Sequence, residues 1–112
     1  MDTKQLPEEL SEICQTIVQT VDTDLIYLFG SYAYGTPDAD SDYDLCVIIP
    51  DDSLRSSDAV KKIRKALYQI QTTALDVVVY RKSSFQQRAE GPSFEKRIAD
   101  NGILLFDRSA CS

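Results

Sequence analysis

The chain has 112 residues, of which 43% are hydrophobic and 27% are charged, and these values indicate one compact globular domain. Histidine is absent, which excludes Ser-His-Asp and Cys-His catalysis and any zinc site with histidine ligands. The net charge of −6 disfavours tight non-specific binding to nucleic acid.

The first half of the chain predicts a helix and two strands. Apolar residues spaced three and four apart predict a helix over about residues 7–20, and the apolar run 25–29 predicts a buried strand. Gly30 and Ser31 break that strand, and an aspartate-rich loop follows. A second apolar run, 45–49, predicts another buried strand.

The second half continues the alternation of helices and strands. The pattern predicts a helix over 57–72, a strand over 75–80, short helices on either side of Gly91 that end at Asn101-Gly102, and a last strand over 103–106. We expect the tail from Asp107 to fray. Three tyrosines are predicted to lie in the core or at its edge, namely Tyr27, Tyr68 and Tyr80.

These elements predict an α/β fold with a small mixed sheet flanked by helices. Strand 45–49, helix 57–72 and strand 75–80 form a unit whose two strands are usually parallel. Strand 25–29 precedes this unit after a loop, so we expect it to pair antiparallel with strand 45–49. We predict a single domain over 1–112, with its core at about 7–107.

Neither the cysteines nor the hydropathy indicates a secreted or membrane protein. Cys14, Cys46 and Cys111 are far apart and form no CxxC pattern, so we expect reduced thiols, with Cys46 filling the core. No apolar run reaches the roughly 18–20 residues of a membrane span, and Met1–Lys4 lacks a signal-peptide pattern. We therefore expect a cytoplasmic protein without stable membrane binding.

The charges are distributed unevenly along the chain. Residues 1–60 hold 13 acids and 2 bases, a net charge of −11, whereas residues 61–112 hold 5 acids and 10 bases, a net charge of +5. Six aspartates lie between Asp38 and Asp52, and metal binding is the first explanation for such a density of carboxylates. The basic group Lys61–Lys65 is predicted to be the solvated face of its helix, with docking of an acidic partner as the functional alternative.

Four separate parts of the chain are predicted to meet at one end of the sheet. Asp42 and Asp44 lie at the entrance of the second strand, two residues apart, so their side chains point to the same face. Asp76 lies at the entrance of the third strand, at the same end. Gly30 and Ser31 lie at the exit of the first strand, which runs in the opposite direction.

This group of residues has the chemistry of a nucleotide site. Carboxylates at strand spacing can hold metals about 3.5–4 Å apart, and a third carboxylate completes an oxygen-rich site suited to Mg²⁺ or Mn²⁺. Gly30 permits close approach of the backbone to a ligand, and the amide and hydroxyl of Ser31 can hold a phosphate. The sequence therefore predicts chemistry on a nucleoside triphosphate.

The same residues carry a resemblance to a known family. Gly30-Ser31, ten intervening residues and then Asp42-Tyr43-Asp44 match the GS-x10-DxD signature of the polymerase-beta-like nucleotidyltransferase superfamily. Nearly the whole chain resembles the minimal nucleotidyltransferases of that superfamily, of the MntA-like antitoxin type.

The resemblance implies a role for each of these residues. Asp42 and Asp44 would bind two divalent metals, and Asp76 would bind one of them and serve as base for the attacking hydroxyl. Gly30 and Ser31 would hold the triphosphate of ATP or another nucleotide. Attack on the α-phosphate would release pyrophosphate.

The resemblance also implies a partner. Small nucleotidyltransferases of this type act as antitoxins that transfer AMP to a tyrosine of a helical HEPN ribonuclease toxin. Many relatives have arginine where this chain has Tyr34. The loss of that guanidinium would weaken triphosphate binding unless a basic residue from elsewhere replaces it. In another reading, Tyr32 or Tyr34 stacks on the nucleotide base instead. Two alternatives therefore remain: a catalytically weak module that neutralises its partner by contact, and a small-molecule adenylyltransferase with an acceptor pocket in a homodimer.

Overall fold

The computed structural model describes residues 8–30, 43–70, 75–91 and 93–108. In chain order its elements are α1 (Glu8–Thr20), β1 (Leu25–Phe29), β2 (Tyr43–Ile49), α2 (Ser56–Leu67), β3 (Leu75–Arg81), α3 (Lys82–Ala89), α4 (Phe94–Asn101) and β4 (Ile103–Asp107). No helix within these ranges is long and apolar enough to cross a membrane.

The four strands form a mixed sheet in the order β3-β2-β1-β4. β2 pairs in parallel with β3 and antiparallel with β1, and β1 pairs antiparallel with β4. The predicted α/β fold and both predicted pairings of the second strand are confirmed. β2 is buried along almost its whole length because it is a central strand with helices against both faces.

Alternate residues of the strands form two separate cores. Leu28, Leu45 and Val77 face one side of the sheet, where they pack with Ile13 of α1 and Ile63 of α2. The other side is a smaller core, in which Phe85 of α3 and Ile98 of α4 cover residues of β2. The sheet therefore has a thick face covered by α1 and α2 and a thin face covered by α3 and α4.

The thiols within the described residues are free and sit in apolar surroundings. Cys46 is fully buried in the thin-face core, and burial raises the pKa of its thiol to about 12. Cys14 on α1 is partly buried, and burial raises the pKa of its thiol to about 11. Both groups are thus protonated and unreactive at neutral pH, which agrees with the expected role of Cys46 as core filler. Cys111 lies outside the described residues.

β2 begins two residues earlier than predicted. Tyr43 and Asp44 belong to the strand, because the ring of Tyr43 is buried against the thick-face core and its hydroxyl donates a hydrogen bond to Oε1 of Glu9 at 3.2 Å. A tyrosine flanked by aspartates resembles a loop in the sequence. In the fold the side chains of Tyr43 and Asp44 point to opposite faces of the sheet, so both residues continue the strand.

The helix α2 is shorter than predicted and ends at Leu67 instead of residue 72. Its fully buried positions are Ala59, Ile63 and Leu67, which are four residues apart and therefore form one row of the helix in the thick-face core. The side chain of Tyr68, next to this row, is 84% exposed, so its predicted place in the core is wrong.

The chain also stays ordered beyond the predicted end of the last strand. Asp107 belongs to β4, and the backbone N–H of Arg108 donates a hydrogen bond to the carbonyl of Asp24 at 2.9 Å. The guanidinium of Arg108 lies 3.6 Å from the carboxylate of Asp24. The predicted fraying at 107 and 108 is therefore wrong, and residues 109–112 lie outside the described ranges.

Side-chain hydrogen bonds fix the two short helices of the thin face. Oδ1 of Asp51 accepts a hydrogen bond from the backbone N–H of Ser83 at 2.9 Å and so satisfies a donor in the first turn of α3. Oγ of Ser93 caps α4 by accepting from the N–H of Lys96 at 3.1 Å. Asp51, two residues beyond the end of β2, thus has a structural role and lies far from Asp44.

Gly102 ends α4, as predicted, but not through a left-handed conformation. Its φ is −71°, and the need for glycine comes from space. A Cβ at this position would lie 2.6 Å from the carbonyl oxygen of Ile98 and 3.2 Å from that of Leu28. The absence of a side chain therefore lets the chain pass from α4 into β4 close to the backbone of β1.

We predict that Gly102→Ala lowers the free energy of unfolding by about 1–3 kcal/mol, because backbone atoms must move to make room for the methyl group. Gly91→Ala is the matched control, since a Cβ there would meet no atom within 4 Å. It should change stability by no more than about 0.5–1 kcal/mol. Urea denaturation measures both, and equal losses in the two variants would contradict the steric account.

A buried carboxylate holds α4 against β3. The hydroxyl of Tyr80 donates a hydrogen bond to Oε2 of Glu95 at 2.7 Å, and a guanidinium nitrogen of Arg88 lies 3.9 Å from the same oxygen. The hydrogen bond from Tyr80 lowers the pKa of Glu95, while burial and this hydrogen bond raise the pKa of Tyr80. The pair thus stabilises the fold when Glu95 is ionised and Tyr80 is protonated.

We predict that Tyr80→Phe costs about 1.5–3 kcal/mol at pH 7, because it removes a hydrogen bond to a buried charge. Since the folded-state pKa of Glu95 lies below its ordinary value of 4.5, the wild type loses this stabilisation as pH falls through the lowered pKa. The difference between the two proteins should therefore shrink as the pH falls below 4.5 and through the lowered pKa of Glu95. Tyr68→Phe, which removes an exposed hydroxyl, is the control. If the stability difference between the wild type and Tyr80→Phe does not change with pH, the hydrogen bond to an ionised Glu95 is ruled out.

Candidate active site

The register of the parallel strands places two aspartates side by side. Asp44 of β2 is paired with Asp76 of β3, and paired residues of adjacent strands point to the same face. That face is the thin one, because the neighbouring positions Tyr43, Leu45 and Val77 belong to the thick-face core. Asp44 is partly buried and Asp76 is exposed, so a ligand can reach the pair from solvent.

Gly30 brings the end of β1 against the carboxylate of Asp44. Phe29 is paired with Asp44, and the chain turns at Gly30 with φ of +76°, a left-handed conformation that favours glycine. A Cβ at Gly30 would also clash with Oδ2 of Asp44 and lie 3.1 Å from its Cγ. Both the turn and the neighbouring carboxylate therefore require a residue without a side chain.

Three of the five predicted site residues are thus together in the described structure. Gly30, Asp44 and Asp76 come from three adjacent strands and meet at the end of the sheet that the sequence indicates. Ser31 and Asp42, the other two, lie outside the described residues, and so does Tyr34. Among the described residues of the signature, Gly30, Tyr43 and Asp44, the most buried is Tyr43. No role was predicted for Tyr43, and the signal for its burial is an aromatic residue between two acids.

The described carboxylates suit a hard divalent cation. Asp44 and Asp76 lie on strands about 4.8 Å apart, and carboxylate oxygens are the ligands that Mg²⁺ and Mn²⁺ prefer. Within the four described ranges, no group of three or more aspartate, glutamate, cysteine or histidine side chains could hold a metal ion. The described pair is therefore a partial ligand set, to which Asp42 is predicted to add the third carboxylate.

Comparison with known proteins decides the family. Residues 7–105 match the family described as the nucleotidyltransferase domain. The chain belongs to the nucleotidyltransferase domain family. No curated protein matches it.

Solved structures share the fold of this nucleotidyltransferase domain. A candidate nucleotidyltransferase from Sulfolobus solfataricus aligns with a TM-score of 0.61 at 16% identity, over 91% of this chain and 80% of the other. Two mutants of the toxin–antitoxin MntA-HpeT each align with a TM-score of 0.51. One has 23% identity over 96% of this chain and 77% of the other, and the second has 20% identity over 90% and 75%. At these identities the likeness shows the fold.

We predict that Asp76→Asn stabilises the metal-free protein by about 0.5 kcal/mol, because it removes the repulsion between carboxylates on adjacent strands. In Mg²⁺ the wild type should instead be more stable than Asp76→Asn, since a cation that binds the folded state raises the stability of the wild type more than that of the variant. Thermal unfolding in EDTA and in Mg²⁺ measures both effects. Asp52→Asn, at an exposed position away from the pair, should behave like the wild type. Equal stabilisation of wild type and Asp76→Asn by Mg²⁺ would contradict the assigned site.

Proposed function

We propose that this nucleotidyltransferase is a metal-dependent enzyme that transfers a nucleoside monophosphate, AMP from ATP, to a hydroxyl acceptor. The acceptor we propose is a tyrosine of a HEPN toxin, for which this chain is the antitoxin. The observation that carries the proposal is the in-register pair of Asp44 and Asp76 beside the glycine turn at Gly30, in a chain of this family.

Each site residue has a defined task in this proposal. Gly30 and Ser31 hold the triphosphate, because a left-handed glycine turn exposes backbone N–H groups to a phosphate. Asp42, Asp44 and Asp76 hold two Mg²⁺ or Mn²⁺ ions, which when bound neutralise the charge of the phosphates.

The proton and phosphate transfers balance with the groups present. The acceptor oxygen forms a bond to the α-phosphorus, the α–β phosphoanhydride bond breaks, and pyrophosphate leaves. Asp76 accepts the proton of the acceptor hydroxyl. Its exposure supports this role, because a side chain of another protein can approach it directly from solvent.

Two observations support a protein acceptor of the toxin type. The solved structures that share this fold include the toxin–antitoxin MntA-HpeT. The GS-x10-DxD signature and the sequence around it resemble antitoxins that modify HEPN proteins.

Tyr34, at the position where many relatives have arginine, favours one alternative, a catalytically weak module that neutralises the same partner by contact.

The test is transfer of label from α-³²P-ATP in the presence of Mg²⁺, with and without a HEPN protein as the acceptor partner. We expect label on a tyrosine of that partner, located by mass spectrometry. Asp42→Asn combined with Asp44→Asn should reduce labelling at least about 100-fold, because it removes the charge that the site presents to the metals. The fold should persist, since asparagine has nearly the shape of aspartate.

The matched control is Asp52→Asn combined with Asp58→Asn, which makes the same change in net charge at two exposed positions. It should label the partner like the wild type. If the Asp42/Asp44 variant still labels the partner, the assigned site is wrong. If the wild type transfers no label but forms a complex that silences the partner, the contact inhibitor is the correct function.

A further inference from the structure

The outer edge of β3 lies directly beside the proposed active site. β3 is the last strand of the sheet on that side, so among the described residues no strand pairs with its outer edge. Over seven residues, Leu75–Arg81, alternate backbone N–H and C=O groups point outward from the sheet. Asp76 is the second residue of this edge.

A cleft runs along the same edge on the thick face of the sheet. It has a volume of about 370 Å³ and is lined by Arg64, Leu67 and Tyr68 from α2 and its end, and by Leu75 and Val77 of β3. Leu67, Leu75 and Val77 contribute apolar side chains to its lining, and Arg64 contributes a positive charge. We call it the edge cleft.

The side of α2 next to the edge cleft carries an exposed basic stripe. Lys61, Arg64, Lys65 and Tyr68 are spaced three and four residues apart and therefore share one side of the helix. All four side chains are exposed. A segment that binds there should therefore be acidic, because negative charge complements this patch even though the net charge of the whole chain is also negative.

The cleft and the site lie on opposite faces of one strand. Leu75 and Val77 point into the edge cleft, and Asp76 between them points to the thin face. A bound helix or loop would contact one face or the other. An extended segment paired with β3 contacts both, because its successive side chains point alternately to the two faces.

We infer that the protein acceptor binds by adding an extended, acidic segment to the outer edge of β3. The tyrosine that receives the nucleotide lies opposite Asp76, and the residues before and after this tyrosine point into the edge cleft. This inference rests on the proposed function. The acceptor backbone then lies about 4.8 Å from that of Asp76 and about twice that distance from that of Asp44. A tyrosine, which reaches much farther than a serine, spans this distance to the site.

The test uses the full chain and a synthetic nine-residue peptide with a central tyrosine, a leucine on one side of it, a glutamate on the other and acidic ends. Transfer from α-³²P-ATP to this peptide and binding of ATP with Mg²⁺ are measured separately. Arg64→Glu should reduce transfer at least about tenfold, because it places a like charge beside the acidic segment. Tyr68→Ala should reduce it similarly by opening the edge cleft, without loss of stability, since Tyr68 is exposed.

Lys62→Glu is the matched control. It makes the same charge change on the same helix, but Lys62 lies outside the basic stripe and does not line the cleft. ATP binding should be the same in all three variants and the wild type, because these residues lie on the other side of the sheet from Asp44 and Asp76.

A scan of the peptide with single N-methyl groups distinguishes strand addition from other modes of binding. Methylation should abolish transfer at every second amide and leave it intact at those between, since alternate N–H groups of an added strand face β3. Loss without alternation, transfer in Arg64→Glu equal to that in Lys62→Glu, or no transfer to the peptide while ATP binds would each overturn the inference. Failure of the wild type to bind ATP with Mg²⁺ would instead overturn the proposed function.

Discussion

The register between β2 and β3 is the constraint on which the rest of this structure depends. It places Asp44 beside Asp76, an unfavourable arrangement of like charges that the strands must hold against repulsion. A shift of one residue would move one carboxylate into the thick-face core and abolish the site. The register is maintained by apolar residues: Leu45, Val47 and Ile49 of β2 are fully buried under α1 and α2. Hydrophobic packing on one face of the sheet thus holds a charged pair on the other.

The strands and their pairing could be predicted from the sequence because buried strands are short, apolar and bounded by breakers. The start of β2 could not, because Tyr43 lies among aspartates and only its burial beside Glu9 shows that the strand continues. The end of α2 could not be predicted either, because Ile70 continues the apolar spacing of Ile63 and Leu67 in the sequence but is 36% exposed in the structure. Sequence patterns report composition, whereas these boundaries depend on which neighbour a side chain meets.

The juxtaposition of Gly30, Asp44 and Asp76 was more predictable than the element boundaries because it follows from the directions of the strands. Gly30, Asp44 and Asp76 meet at one sheet end once β1 and β2 are antiparallel and β2 and β3 are parallel. That the side chain of Asp44 occupies the space next to Gly30 was not predictable, because a glycine can make room for a ligand as readily as for a side chain. The edge cleft was not predictable either, because it requires the placement of α2 against β3.

The location of Asp44 on the central strand has a consequence for dynamics. Proteins open locally at weakly packed ends and edges, and their central strands open only in global unfolding. β2 pairs with a strand on each side and is buried along almost its whole length, so its backbone amides should exchange more slowly than those of the other described strands. Asp76 lies on the edge strand β3, and an edge strand can open locally without global unfolding. The two halves of the charged pair therefore differ in rigidity: Asp44 provides a fixed reference point, and adjustment to ligands falls to β3.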